Sequence, residues 1–437
     1  MPDNTIEELT CMKKLLSITI TLIVLISFIL IPTISGEVMV LNSVSQTISH
    51  IDLSAGTVNN TFALTGIYPN KMATTGEFIY LTNSADDNLR KYNIETGNLL
   101  ATIPLELYSN PYDIIIHDGH AYITGMLTDR VYKLDLATDT VVAELETGVA
   151  PLGLSVDNNL LFIANSGYQY PSYLPGELTV IDLESFQVLE TIEVMLNPQR
   201  MAIDDYGYLH LVCTGDYVDE TGNIVIIEIE TLEIVEIIPL DIYPINIVIT
   251  PIDRVYVADG FGNGLFAYDL PGYDIVHDSD ELFSIGGSAL AIYEELLLVA
   301  DAGDFLSNST IRIYDFAENL LETYQTALGA IDFAFAQKNS SVSDDDHLPS
   351  PLIVTYPNPF SRSVEIMIET ANFRQGEVSV EIFNIRGEKI RILPGEDNSV
   401  QWDGYDLSGS RSPSGIYFFR VNNGSDTLQT GKITLIR

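Results

Sequence analysis

The chain has 437 residues, 61 acidic and 20 basic, giving a net charge of −41, and 46% of it is apolar. That length predicts two domains with ample cores, and the charge excludes nucleic acid and anionic membrane surfaces as partners, since both are bound through Lys and Arg. The acid excess reads as a solvated surface that keeps the chain soluble; calcium at acidic turns is the alternative, at irregular sites because no EF-hand spacing occurs, and no other cofactor is expected.

In chain order, Met12-Lys13-Lys14, a 17-residue apolar run over 15–31, Pro32 and small residues to Gly36 form a signal-peptide pattern, with residues 1–11 as an upstream extension. Cleavage is expected near Ser35 or Gly36, which makes 1–36 a removable segment. An uncleaved anchor is the alternative, because the run approaches a spanning length. Of the two cysteines, Cys11 precedes the apolar run and Cys213 sits in the strand-like HLVCTG. Cys213 reads as a small core residue, no disulfide is expected, and the six scattered His offer no zinc cluster.

From residue 37 to 337 one unit recurs. Its clearest copy, residues 79–118, holds four short β-rich runs separated by turn residues: IYLTN, LRKYNI, LLATIPL and PYDIII. An apolar–acid/amide–apolar triplet marks the third run of each copy, centred on Asp52, Asn93, Asp135, Asp182, Glu228, Asp269 and Asp315, at spacings of 41, 42, 47, 46, 41 and 46 residues. A proline opens the innermost run at Pro69, Pro111, Pro151, Pro198 and Pro244, with Gly287 and Gly329 or Ala330 in the same places later on. The first copy begins one run late, at VMVLN, and the last ends with an extra inner-type run, IDFAFA. Four strands per period of about 40 residues predict a β-propeller, here of seven blades. The extra run is expected to complete the first blade, because an open array leaves unpaired edges. IYLTN, AYITG, LFIAN and VYVAD resemble the repeat core of secreted YVTN-type, NHL-like propellers. That resemblance implies architecture and is silent on ligand.

Two candidate sites follow from the blade order. The second-to-third loops and the proline loops share one face. There stand Tyr168, Tyr170 and Tyr173 of blade four, Tyr217 of blade five with Asp216, Asp219 and Glu220, Tyr243 and Phe261 of blade six, and Phe305 of blade seven. Tyrosines on loops give wide amphipathic contact at low entropy cost, so this face predicts a glycan, peptide or protein ligand; the alternative is that the rings only cap blade ends. Two residues after each opening position the innermost run offers Lys71, Asp113, Gly153, Arg200, Asn246, Ala289 and Asp332. That ring can orient a small polar ligand, or it can merely balance its own charges. Asp113, Asn246 and Asp332 could also be read as metal ligands of a lactonase-like enzyme, against which Lys71 and Arg200 argue. No catalytic constellation stands out: G-x-S-x-G and phosphate-binding glycine loops are absent.

Residues 338–351 are polar and acidic and read as a linker. Short strands then recur over 352–437, the size and spacing of a small Ig-like sandwich. TYPNPF with Pro357, Asn358 and Pro359, then WDGYDLSG, then SPSGIYFFRV with Gly415 and Tyr417, and an ending with Lys432, Leu435 and Arg437 resemble the C-terminal sorting domain of type IX secretion substrates, which is related to the Ig-like domain of flagellar hook-capping proteins. The resemblance implies recognition by the type IX machinery and delivery to the cell surface or medium; a permanent adhesive module is the alternative. The expectation is an all-β, exported binding or scaffold protein, seven-bladed propeller then sandwich, with a secreted hydrolase at the channel as the competing reading.

Overall fold

The computed structural model describes residues 34–336 except 284, 285 and 288, and then 352–356, 360–369, 378–384, 389–394, 399–407, 409–423 and 426–436. The expected signal segment, apart from its last three residues, and the expected linker lie outside the described residues. The chain divides into two compact units, Met1–Lys338 and Asn339–Arg437.

Among the described residues, seven four-stranded antiparallel sheets and one short two-stranded hairpin build the first unit. Their innermost strands are Pro69–Thr74, Pro111–His117, Pro151–Asp157, Pro198–Ile203, Pro244–Ile249, Ala289–Tyr293 and Ala330–Phe335. Each touches the next in that order, and the last touches the first, so the sheets form a closed ring, a β-propeller. The last of these strands belongs to the first sheet: Ala330–Phe335 pairs with Glu37–Asn42, Val38 facing Phe335 and Val40 facing Phe333. We number that sheet blade one and the sheets opening at Pro69, Pro111, Pro151, Pro198, Pro244 and Ala289 blades two to seven.

The second strands carry unbroken apolar runs because both of their faces are covered. In Glu37–Asn42 the side chains of Val38 and Val40 enter a cluster with Leu298 and Ile311 of blade seven. Those of Met39 and Leu41, one step out of phase, enter a cluster with Ile79 and Leu81 of blade two. The two-residue period of a strand is thus spent on left and right neighbours, and the core is a circle of layers between blades, continued by five further clusters. Outer strands face water, as in Gln187–Val194.

The repeat markers have local causes. The third-strand acid closes its own turn: Asp135 Oδ1 accepts Thr138 N (2.8 Å) and Asp182 Oδ1 accepts Ser185 N (2.7 Å). The residue ending the second strand ties down the loop that enters its blade. Asn83 Oδ1 accepts Gly66 N (2.7 Å), and a Cβ on Gly66 would stand 2.6 Å from that oxygen, so only glycine fits. Threonines in or just after the second strands bond across blades, Thr82 Oγ1 to Tyr112 O (3.2 Å), Thr124 Oγ1 to Leu152 O (2.8 Å) and Thr214 Oγ1 to Pro244 O (2.7 Å). Cys213 is fully buried, and burial pushes its thiol well above the ordinary range, as expected of a core residue and not a nucleophile.

The second unit is a β-sandwich. One sheet runs Leu352–Tyr356, Val364–Glu369, Ser399–Trp402; the other runs Lys389–Pro394, Val378–Asn384, Gly415–Asn423, Asp426–Leu435. Trp402 lies at the centre of their shared core, 4.9 Å from the Tyr417 ring and 5.5 Å from Phe360, and its indole N–H donates to Tyr405 O (3.0 Å). Sequence reading missed the strand Leu352–Tyr356, which carries the β-branched run Ile353-Val354-Thr355 and pairs with Val364–Glu369.

The turn acids set the pH response. The hydroxyls and N–H groups of Thr138 and Ser185 hold Asp135 and Asp182 below the ordinary carboxylate value, and backbone N–H groups do the same for Asp216 and Asp304. A depressed folded value contributes stability above the unfolded value, near 3.9, and loses it as pH falls through the folded one. At higher pH the −41 excess repels itself. Thermal unfolding is therefore expected to move to higher temperature from pH 8 down to about pH 5 and to retreat below about pH 4. A steady decline from pH 8 to 5 would contradict this account.

Candidate functional site at the loop face

The proline loops and second-to-third loops meet around the mouth of the central channel. A cavity of about 450 Å³ opens there, lined by Ser43, Tyr68, Pro69, Asn70, Tyr112, Gln199, Arg200, Tyr217, Ile245, Asn246, Gly260 and Ile331. Beneath it a second space of about 380 Å³ is lined by Lys71, Asp113, Arg200, Asn246 and the apolar residues of the inner strands. Arg200 and Asn246 border both and so mark the neck.

The inner strands are bulged after their opening prolines, with register shifts between Pro69 and Met72, Pro111 and Ile114, Pro151 and Leu154, Pro198 and Arg200, and Pro244 and Asn246. Each bulge takes N–H groups off the ladder, and the ring carboxylates receive three of them. Asp332 accepts Met72 N (2.8 Å) and Lys71 Nζ (2.5 Å). Asp113 accepts Leu154 N (3.0 Å) and Arg200 Nη1 (2.5 Å), with its other oxygen on Ile114 N (2.8 Å). Arg200 of blade five therefore reaches past blade four to blade three. Gly153 makes that reach possible: a Cβ there would stand 1.9 Å from Gln199 O and 3.3 Å from Arg200 Cα. Burial opposes the Arg200 charge, Asp113 and Asp332 outweigh it, and its pKa stands above the ordinary arginine value. The ring of Lys71, Asp113, Arg200 and Asp332 is thus two closed ion pairs, and the Asn246 carboxamide oxygen accepts Ile247 N (2.9 Å). A divalent metal on Asp113, Asn246 and Asp332 would have to displace two cations.

The aromatic residues fall into two groups. Tyr217 stacks on Tyr243 with centroids 5.4 Å apart, and Phe261 meets both edge-on at 6.3 and 5.3 Å. Tyr217 also borders the mouth, where Gln199 Nε2 donates to its hydroxyl (3.4 Å). Tyr168 and Tyr173 face each other at 5.2 Å across a short hairpin whose tip, Tyr170, is 84% exposed; none of the three borders the cavity. Sequence reading passed over Asn70, Tyr112 and Gln199. The signal was available one residue after the opening proline, since Asn70, Tyr112, Gln199 and Ile245 share that register and face the mouth. Of the loop acids, Asp216 Oδ1 takes the N–H groups of Val218, Asp219 and Glu220, and Asp304 Oδ1 those of Leu306 and Ser307. Among the described residues no group of three or more His, Cys, Asp or Glu stands together as a metal would require.

In the second unit Tyr417 is buried and donates its hydroxyl to Pro413 O (2.8 Å), Gly415 opens the strand Gly415–Asn423, Leu435 is buried, and Lys432 lies opposite Phe418. Pro357, Asn358, Pro359 and Arg437 lie outside the described residues.

These two units define an exported β-propeller. Residues 354–435 match the family model of the secretion system C-terminal sorting domain, the tail that delivers its carrier through type IX secretion to the cell surface or the medium. Among the described residues no helix is long and apolar enough to cross a membrane. Solved structures similar to this chain include Kuenenia stuttgartiensis hydrazine synthase, at TM-score 0.51 and 15% identity over 60% of this chain and 88% of that one. A quinonprotein alcohol dehydrogenase-like protein of Bacteroides thetaiotaomicron follows at 0.53 and 14%, over 69% and 79%, and a chain of the mitotic checkpoint complex at 0.52 and 13%, over 68% and 87%. At these identities the likeness is one of fold. No curated protein matches the chain.

Asp113→Ala strands the Arg200 guanidinium and the Leu154 N–H, and is expected to cost about 3 kcal/mol. Arg200→Met added to it should recover much of that loss, because the pair is removed together. The midpoints of denaturant unfolding measure both, and an unchanged Asp113→Ala midpoint would sink the ion-pair account.

Proposed function

We propose that the protein is a delivered binding module whose propeller takes a carbohydrate at the channel mouth. One observation carries this: a cavity of about 450 Å³ in which the tyrosines Tyr68, Tyr112 and Tyr217 share the lining with the carboxamides of Asn70, Gln199 and Asn246 and with a single charged side chain, Arg200. Aromatic faces cover the C–H faces of sugar rings, and carboxamides donate and accept at once, as hydroxyl pairs require. A few polar groups converging in a partly apolar concavity is the general form of a small-ligand site. The Tyr217–Tyr243–Phe261 stack extends the platform outward, and the closed pairs Lys71–Asp332 and Arg200–Asp113 support binding over hydrolysis, since they leave neither carboxylate free as an acid or base.

In this reading residues 1–36 are an extension and signal peptide, 37–337 are seven YVTN-type, NHL-like blades, 338–351 are a linker, and 352–437 are an Ig-like sorting domain read by the type IX machinery. Tyr168, Tyr170 and Tyr173 form an outer contact beside the mouth.

Glycan-array screening followed by titration calorimetry on the full exported chain tests the site. Tyr217→Ala is expected to weaken the best glycan about tenfold, near 1.4 kcal/mol, while Tyr206→Phe on the opposite face leaves it unchanged. Wild-type affinity in Tyr217→Ala would refute the mouth as the site. Delivery is tested separately: a chain ending at residue 351 should be missing from the cell surface and the medium, and its normal appearance there would refute the sorting role.

A further inference from the structure

The opposite face of the propeller holds a second concavity, about 490 Å³, lined by Tyr206, Tyr208, Val235, Glu236, Pro271 and Tyr273. It lies between blades five and six. Tyr206 lies in the inner-to-second turn of blade five and Tyr208 opens the strand Tyr208–Cys213 that follows, Tyr273 comes from a turn of blade six, and Glu236 from the outer strand Glu233–Pro239. No basic side chain is in the lining.

A network of hydrogen bonds and ring contacts, partly buried, holds the segments that carry the three tyrosines. Asp204, at the foot of the blade-five turn, accepts the backbone N–H groups of Tyr206 and Tyr208 on one oxygen (2.8 Å each). Its other oxygen meets His210 Nε2 at 3.1 Å, and His210 Nδ1 meets the Tyr268 hydroxyl at 2.6 Å, with His210 and Tyr268 both fully buried. Tyr273 sets its ring edge-on against His210 and Tyr268, 6.2 Å from each. The Tyr206 hydroxyl donates to Asp253 of blade six (2.9 Å). The walls are therefore held before any ligand arrives, which lowers the ordering cost of binding.

The chemistry of those walls has one sign. Tyrosine faces are electron-rich, Glu236 is at the rim, and Asp253 and Asp204 lie behind. The hydrogen bond to Asp253 and the charges of Asp204 and Asp205 raise the Tyr206 phenol above its ordinary value, as a negative field requires. The net charge of −41 draws cations toward the whole molecule.

We infer that Tyr206, Tyr208, Tyr273 and Glu236 form a cage for a quaternary ammonium group, a binding site separate from the channel mouth. A primary ammonium has three N–H donors to satisfy, and the lining offers one carboxylate. A quaternary ammonium has none and is weakly hydrated, so ring faces and one counter-charge suffice.

Choline titrated into the full-length protein, followed by calorimetry and by tyrosine ring NMR signals, tests the inference. Choline is expected to bind, and its neutral isostere 3,3-dimethyl-1-butanol to bind at least tenfold more weakly. Free lysine should also be at least tenfold weaker. Glu236→Gln is expected to weaken choline roughly fivefold, Tyr273→Ala to abolish binding, and Tyr273→Phe to retain it because the ring face remains. Equal binding of the isostere would reduce the site to an apolar dent and overturn the proposal. Preference for lysine would overturn the quaternary assignment, and absence of choline binding to the wild-type chain would overturn the cage. Glu236→Gln, on an exposed strand position, keeps the test decisive should Tyr273→Ala not fold.

Discussion

The strand Ala330–Phe335 lies against Glu37–Asn42, and on that pairing everything else in the propeller rests. Without it the ring has two free edges, and Val38, Val40 and Phe333 lose the cover of blade seven. The same strand carries Asp332, which takes the N–H of Met72 and the ammonium of Lys71 on blade two. One segment thus joins both ends of the chain's repeat and the next blade as well. The channel mouth is a property of the closed ring, since Ser43 and Ile331 of blade one and Tyr217 and Gly260 near blades five and six line one cavity although their blades are not neighbours.

Closure also solves an electrostatic problem. A chain with three times as many acids as bases must keep repulsion out of its interior. The blade interfaces are apolar and the turn acids are bonded to their own backbone, so the excess charge stays in water. Where charge enters the channel neck it is paired one to one, and buried Asp204 on the turn face is met by His210 and two backbone N–H groups. Gly153 is the detail that lets Arg200 make its pair two blades away.

Much of this was legible in the residues. The third-strand acid, the opening proline and the missing first strand were each readable because each has a local cause: a turn that needs an acceptor, a strand start that needs no donor, an edge that needs a partner. The ring positions were legible too, since they keep a constant offset from the proline. Their pairing was not, because Arg200 and Asp113 are joined only through the packing of blade four between them. The mouth lining at Asn70, Tyr112 and Gln199 was missed for a related reason: the bulge turns the residue one step after the proline toward the mouth, where a regular strand would point it elsewhere. Tyrosine-rich loops point to Tyr170, which stands out in solvent, while no motif or spacing singles out Tyr206, Tyr208 and Tyr273, which two blades bring together.

The two faces of the propeller are consequently different solvents for a ligand. On the loop face exposed apolar side chains such as Tyr68, Tyr108, Val218, Phe261 and Leu306 surround a charge-neutral neck, which suits an uncharged, hydroxyl-rich molecule. On the turn face His117-Asp118, Asp157, Asp204-Asp205 and Glu294-Glu295 fill the short hairpins, and the concavity there is walled by tyrosine and one glutamate. A cation approaching the loop face finds its counter-charges already paired, and a neutral sugar on the turn face finds no carboxamide in the lining. The separation follows from the repeat itself: every blade sends its short hairpins, closed by an acid or an amide, one way and its longer loops the other, so seven copies add up to two surfaces of different character.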